Sequence, residues 1–258
     1  MDNLKLIFGD SLSVKGIEFR HPKIKDIVEN GENFYMSTIN LFTLIPSDFM
    51  VELYECGKDF RKTKPFEIFI LICMETAETD ENGKIILDKH NEIVWKESSS
   101  ISKKIGFLTG IYDFRLSIRD ENLVLYSPSS GLIIDEGIYN IARYFYCKIH
   151  FIDTKDKYNP ANDATIKFLV KQEKRNRELR KKRRNNQDSG FSSKVSALVW
   201  SSGISYENVK EMYVYQFYDG LSRIRRIKDY DNICHGFYSG NIKQQYFQKI
   251  IEDIDWAK

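Results

Sequence analysis

Between Pro22 and Met74, prolines and glycines divide the chain into short segments whose apolar residues recur at helical spacing. Proline is favoured in the first turn of a helix, and glycine just beyond its end. The pattern therefore predicts short helices over residues 22–29, 32–44, 49–56 and 66–74. The last of these is apolar on nearly every face, which predicts a buried helix.

Two regions have the patterns of strands: short apolar runs separated by turn residues in the first, and an alternation of apolar and polar residues in the second. Near the N-terminus, strands are predicted over 4–8 and 14–19, separated by a turn at Gly9. Further along, 112–118 and 123–126 flank a polar turn and predict a β-hairpin with one buried face.

The second half of the chain has mainly helical patterns. Helices are predicted over 134–149, after Asn159-Pro160, over 195–200, as one long helix capped by Ser205, and over 244–256. The predicted fold class is α+β and predominantly helical, with a small antiparallel sheet from the N-terminal strands and the hairpin. We expect an N-terminal α+β region (1–170), a basic helical arm and loop (171–193) and a C-terminal helical region packed on the body (194–258).

A strongly basic segment stands out in a chain whose formal net charge is only +2. Residues 171–184 hold nine bases and two acids, so they carry +7 and the rest of the chain about −5. The bases are Lys171, Lys174, Arg175, Arg177, Arg180, Lys181, Lys182, Arg183 and Arg184. Such a helix is typical of a solvated extension that meets an acidic protein surface, or of a nucleic-acid contact. No aromatic residue interrupts the segment, which favours the protein-facing interpretation over single-strand binding.

An aromatic cluster follows in the segment 213–218. If the long helix is continuous, Tyr213 and Phe217 face the core, whereas Tyr215 and Tyr218 lie away from it. Exposed tyrosines are typical anchors for a protein partner. Tyr213, Tyr215 and Tyr218 are therefore candidate partner-binding residues, although packing beneath the basic arm would explain them equally well.

The usual signatures of catalysis are missing from the sequence. Neither a phosphate-binding nor a dinucleotide-binding glycine pattern occurs, and no serine has the flanking glycines of a hydrolase nucleophile. The four cysteines and four histidines are scattered, and the adjacent pair Cys234-His235 would need at least two more zinc ligands. We expect a protein that is not an enzyme and has neither a metal site nor a cofactor.

The sequence also bears on the compartment in which the chain works. Its most apolar run, Phe66 to Met74, is far shorter than the roughly 18–20 residues that cross a bilayer. Asp2 stands where a secretion signal would carry bases. We therefore expect the protein to stay in the compartment where it is made.

Two sets of short motifs, taken in order, resemble a known family. The N-terminal set comprises His21-Pro22-Lys23-Ile24-Lys25-Asp26-Ile27, Phe34-Tyr35, Ile45-Pro46-Ser47-Asp48 and Phe66-Glu67-Ile68-Phe69. The C-terminal set comprises Ser205-Tyr206-Glu207-Asn208-Val209, Tyr215-Gln216-Phe217, Arg223-Ile224-Arg225-Arg226-Ile227, the Gly236–Gly240 turn and Ile254-Asp255-Trp256. Together they resemble tail-morphogenesis proteins of tailed phages and prophages of low-GC Gram-positive bacteria, in particular tail assembly chaperone-like proteins. The resemblance covers about half of the chain.

This resemblance implies a binding role and brings no catalytic residues with it. Such a protein would keep the tape-measure protein soluble in the host bacterial cytoplasm while tail-tube subunits assemble around it. Three other roles remain open: nucleic-acid binding through 171–184, a structural subunit retained in the virion, and a phage product directed at a host protein.

Overall fold

The chain folds into a predominantly helical α+β structure, which confirms the predicted class. The computed structural model describes residues 2–90, 92–155, 158, 160–183 and 190–254, with the backbone alone described at 181–183 and 252–254. The strands are β1 (Leu12–Val14), β2 (Ile17–Phe19), β3 (Arg115–Arg119), β4 (Asn122–Tyr126) and β5 (Ile133–Ile134). The helices are α1 (Asn3–Ile7), α2 (Ile24–Asn30), α3 (Glu32–Asn40), α4 (Met50–Glu55), α5 (Pro65–Cys73), α6 (Ser100–Thr109), α7 (Glu136–Ile149), α8 (Asp163–Arg183), α9 (Phe191–Ser202), α10 (Tyr206–Glu211), α11 (Val214–Tyr238) and α12 (Gln244–Ile254). The helices predicted over 22–29, 32–44, 49–56, 66–74 and 134–149 are confirmed, with ends shifted by a few residues.

The core is built largely from aromatic rings. Phe42 lies at its centre, with Phe69, Tyr139 and Tyr146 at centroid distances of 5.5, 5.7 and 5.3 Å. The buried tyrosines keep hydrogen-bond partners: Tyr139 donates to the Leu41 carbonyl and Tyr146 to the Arg20 carbonyl, both at 3.2 Å. Because each hydroxyl is satisfied, these rings are buried without the cost of an unpaired polar group.

The single sheet that the sequence predicts is in fact two separate sheets, and only the mid-chain hairpin joins the predicted strands. The N-terminal hairpin turns at Lys15 and Gly16, inside the strand predicted over 14–19. β1 pairs with β2, and β3–β4–β5 form a three-stranded antiparallel sheet. Each hairpin turns through two residues with positive φ: Lys15 and Gly16 in the first, and Asp120 and Glu121 in the second. Such turns match the right-handed twist of the flanking strands and thereby fix the register of each pair.

The strand predicted over residues 4–8 is wrong, because this segment is the helix α1. The Asp2 side chain accepts a hydrogen bond from the Leu4 amide at 3.0 Å and so caps the helix. Of the apolar side chains here, Leu6 is fully buried, whereas Leu4 and Phe8 are exposed. The short apolar run in the sequence therefore belongs to a helix and not to a strand.

A helix missing from the sequence prediction, α6, follows the polar stretch that ends at Ser100. Ser99 caps it, Gly110 ends it with φ +78°, and Ile101, Ile105 and Leu108 face the core. The spacing of these three apolar residues is helical. The serine-rich run before them made the segment look like part of the polar stretch, so the sequence did not predict this helix. Upstream, Trp95 donates a hydrogen bond from its indole nitrogen to the Leu116 carbonyl at 2.7 Å, which ties the polar stretch to β3.

The long helix predicted from Ser205 is interrupted at Met212 and Tyr213, giving α10 and α11. Both residues are extended because they pair with the chain just before α2. The Ile24 amide donates to the Met212 carbonyl at 2.9 Å, and the Val214 amide donates to the Pro22 carbonyl at 3.0 Å. Tertiary hydrogen bonds thus override the helical period of the sequence.

The last two helices form an antiparallel pair at the end of the chain. Phe237 of α11 stacks on Phe247 of α12 at 4.1 Å, and the two helices turn at Gly240. From residue 218 to 251, each residue is half-buried or exposed. Across the described parts of the chain, none of the helices combines the length and the apolar character needed to cross a membrane.

Candidate protein-binding site

The basic segment belongs to α8, which runs across the boundary predicted at residue 170 and lies along α4. Lys174 pairs with Glu55 at 2.6 Å, and Arg177 pairs with Glu52 and donates to the Asp48 carbonyl at 2.8 Å. The hydrogen bond that Arg177 donates to Glu52 raises the pKa of Arg177 further above its already high ordinary value. One face of the helix is therefore neutralised by the body of the protein.

The remaining bases of the segment face solvent or lie outside the described residues. Lys171, Arg175 and Arg180 are exposed, and Arg180 approaches Glu173 at 3.6 Å. The side chains of Lys181, Lys182 and Arg183, and the whole of Arg184, lie outside the described part of the chain. The division into residues 1–170, 171–193 and 194–258 stays a prediction.

Of the three candidate tyrosines, Tyr215 is not at the surface. It is only 6% exposed, its ring lies 5.1 Å from that of Phe151, and its amide donates to Nε2 of His21 at 3.2 Å. The expectation of an exposed Tyr215 was wrong because α11 begins at Val214, which turns Tyr215 towards the body in the first helical turn. The prediction had assumed a continuous helix from Ser205.

Tyr213 and Tyr218 are half-buried at the same junction. The ring of Tyr213 lies 5.1 Å from that of His21, beneath the ammonium group of Lys23. Tyr218 lies 5.9 Å from His150. Each of these rings therefore packs within the chain and presents only part of its surface to a partner.

Two buried histidines complete this junction. His150 accepts from the Tyr35 hydroxyl through Nε2 at 2.7 Å and, since a carbonyl only accepts, donates from Nδ1 to the Tyr146 carbonyl at 2.8 Å. Burial lowers the pKa of both His21 and His150 to about 4, and at His21 the nearby His150 adds to the effect. Both rings are neutral at pH 7, so this polar junction stabilises the structure and is not a charged binding surface.

An apolar surface emerges instead at α5, the helix predicted to be fully buried. Ile68, Phe69, Ile70 and Cys73 are buried, but Leu71 is 45% exposed. That prediction was therefore wrong for one face of the helix. The apolar composition of α5 was visible in the sequence, but the sequence did not reveal that its neighbours leave one face open.

Leu71 lies between two grooves. The larger, about 720 Å³, separates α5 from β4 and from the start of α7. The smaller, about 280 Å³, separates α5 from α4. We call Leu71 and these two grooves the α5 surface. Concave apolar surfaces of this kind suit protein segments or small apolar molecules.

Most acids of the larger groove already have partners within the chain. Glu136 pairs with Lys64 at 2.9 Å, Asp135 caps α7 by accepting from the Ile138 amide at 2.8 Å, and Glu67 accepts from the Lys64 amide at 3.4 Å. The bases of this groove are Lys58 and Arg119. Within the described residues, Nε of Arg119 is buried without a hydrogen-bond partner, and its guanidinium group forms no ion pair. The groove therefore combines apolar walls with a guanidinium group that has no counter-ion in the described part of the chain.

Comparison with known families adds one association. Residues 181–258 match the family model described as the YomV second domain. YomV is a Bacillus phage or prophage protein, so the match associates the C-terminal part of the chain with phage proteins. The matched segment includes α9 to α12 and excludes the α5 surface. No curated protein and no solved structure matches the chain significantly.

Proposed function

We propose that the chain is a non-enzymatic protein-binding factor of bacteriophage tail assembly, and that the α5 surface holds an apolar segment of the tape-measure or tail-tube protein. The observation that carries the proposal is the exposed Leu71 between two grooves on a helix with almost no polar residue. An apolar face that a folded chain leaves open is typical of a partner site. The phage association of residues 181–258 and the resemblance to tail assembly chaperones supply the biological setting.

Binding through the α5 surface predicts that a charge at its centre weakens the complex. We expect Leu71→Asp to abolish the gain in solubility of the tape-measure protein on co-expression, because the carboxylate would lose its hydration on contact with apolar groups. The measurement is the soluble fraction of the tape-measure protein and its co-purification with this chain. The tail-tube protein is tested in the same way.

Ile141→Asp is the matched control, since Ile141 is 46% exposed on another helix and lines neither groove. It should leave the complex intact. If both variants bind as well as the original chain, the α5 surface is not the site. If the original chain forms no complex with either tail protein and improves the solubility of neither, the proposed function is wrong.

The exposed bases of α8 support a second candidate, a nucleic-acid contact. Lys171, Arg175 and Arg180 remain directed to solvent after the inner face has paired with α4. A DNA or RNA titration at rising salt tests this role. A steep loss of affinity with salt that disappears when these three residues become Ala would favour it, because phosphate contacts release counterions.

A further inference from the structure

β4 has an open edge where the larger groove begins. β5 pairs only with Leu125 and Tyr126, so within the described residues β4 has β3 on one side at positions 122–124 and no strand on the other. Continuing the register of β5, the residue opposite Leu123 would be Glu136. Glu136 is already the first residue of α7, so the chain leaves the sheet before reaching that position.

The ladder pattern shows which main-chain groups face this open position. In an antiparallel pair, alternate residues direct their amide and carbonyl groups to opposite neighbours. The Ser127 amide donates to the Leu132 carbonyl at 2.9 Å, on the side of β5. By alternation, Leu125 and Leu123 direct their groups to the same side. The amide and carbonyl of Leu123 therefore point towards the open position beside β4 that β5 would fill if it continued. We call this open position the lane of β5.

The groove beside this lane has the chemistry to hold an extended segment. Its α5 wall is mainly apolar: besides Glu67 it consists of Phe66, Ile70 and Leu71 of α5 and Met74 just beyond the helix. On the β-sheet side, the guanidinium of Arg119 stacks over the Tyr126 ring at 4.3 Å, and its Nε has no partner among the described residues. The groove lining carries four acids and two bases, and two of the acids form ion pairs within the chain, Glu136 with Lys64 and Asp135 with Lys15. Arg119 forms no ion pair within the described residues, so a carboxylate of a bound segment would be its counter-ion.

We propose that an extended segment of the partner protein adds to β4 in the lane of β5 and exchanges main-chain hydrogen bonds with Leu123. The segment carries apolar side chains for the α5 wall and a carboxylate for Arg119. In strand addition, main-chain bonds provide affinity and alternate side-chain pockets provide selectivity. This proposal rests on the proposed function, because it specifies how a tail protein would occupy the α5 surface.

Amide hydrogen exchange on the full chain, alone and with the co-purified tape-measure or tail-tube protein, tests the pairing. Leu123 should exchange at least about tenfold more slowly in the complex, as expected for an amide that gains a main-chain partner. Ile118 is the internal control. It lies opposite Leu123 in the β3–β4 register and is exposed at the other edge of the sheet, so its exchange rate should not change.

Two pairs of variants test the donor and the charge separately. Leu123→Pro removes the amide that faces the lane and should weaken binding about tenfold or more, whereas Leu123→Val keeps the amide and should bind normally. Arg119→Gln should weaken binding, whereas Arg115→Gln should not, since Arg115 stacks on Trp95 and does not line the groove. The exchange rate of the Val124 amide, which belongs to the β3–β4 ladder opposite Ser117, reports whether the sheet is intact in each variant.

The outcomes separate this proposal from the proposed function. A complex that forms while Leu123 exchanges at its original rate refutes strand addition and leaves binding at the α5 surface standing. Equal slowing at Leu123 and Ile118 also refutes it, because the whole hairpin would then have become more rigid. If neither tail protein forms a complex, the proposed function fails and this inference fails with it.

Discussion

At the scale of single residues, the two buried histidines at the junction with α11 link the stability of the fold to pH. The ring of His21 accepts from the Tyr215 amide, and that of His150 bridges Tyr35 and the Tyr146 carbonyl. Neutral imidazole fits each arrangement, because a second proton would remove the acceptor on Nε2. The junction is therefore sensitive to protonation.

This arrangement predicts that acid destabilises the protein. The pKa of His21 and His150 is about 4 in the folded chain and about 6.5 in the unfolded chain. Between these values the unfolded chain binds more protons, so the free energy of unfolding falls as the pH drops below about 6.5. By pH 5 the loss is about 2 kcal/mol per histidine. Urea denaturation at pH 7 and pH 5 measures it.

Replacement of both residues, His21→Gln with His150→Gln, provides the control for that experiment. The double variant should be less stable at pH 7, since glutamine does not reproduce the two ring contacts. Its free energy of unfolding should change much less between pH 7 and pH 5. An original chain whose unfolding midpoint is the same at both values would contradict the interpretation.

At the scale of elements, local signals predicted structure well where proline, glycine and capping residues marked the ends. Pro65 begins α5 as expected, and the turn between β3 and β4 lies at Asp120 and Glu121, where the sequence predicts it. The errors arise where contacts distant in the sequence decide. Pairing of Met212 with Ile24 divides the predicted long helix, and the open face of α5 depends on how α4, β4 and α7 pack around it. Composition alone contains no information on such packing.

The ion pairs between α8 and α4 predict that Arg177 contributes more to the free energy of unfolding than Arg175 does. Arg177→Ala removes the contacts with Glu52 and with the Asp48 carbonyl, and should lower the free energy of unfolding by about 1 kcal/mol. It should also speed amide exchange in α8. Because these groups are partly exposed, the loss should shrink at high salt.

Arg175→Ala makes the same chemical change at an exposed position of the same helix. Its effect on the free energy of unfolding should stay within about 0.5 kcal/mol. Equal effects of the two variants would mean that the contacts between α8 and α4 contribute nothing measurable to stability.

At the scale of the whole molecule, the N-terminal helix α1 packs closely against the start of α11, more than two hundred residues further along the chain. A Cβ atom at Gly9, just after α1, would lie only 2.1 Å from the ring of Tyr213 at the start of α11. Gly9 also has φ +83°, which other residues adopt at a cost. The close approach of α1 and α11 therefore depends on this glycine.

Gly9→Ala should accordingly destabilise the protein by more than its backbone conformation alone requires. We expect about 1–2 kcal/mol from the positive φ, and about 1–3 kcal/mol more from displacement of the Tyr213 ring. Gly57→Ala is the matched control, because Gly57 has φ +70° and a Cβ there would contact nothing within 4 Å. The difference between their free energies of unfolding measures the contact, and equal values would contradict it.

The pairing of α11 with α12 has a consequence for cooperativity. Phe217 is the last buried residue that the structure describes, and the pair beyond it is stabilised mainly by half-buried contacts such as Phe237 on Phe247. A segment with so little interior contributes little to the free energy of the global transition and opens by itself at much lower cost. We therefore expect the tip of this helical pair to open as a separate cooperative unit while the aromatic core remains folded.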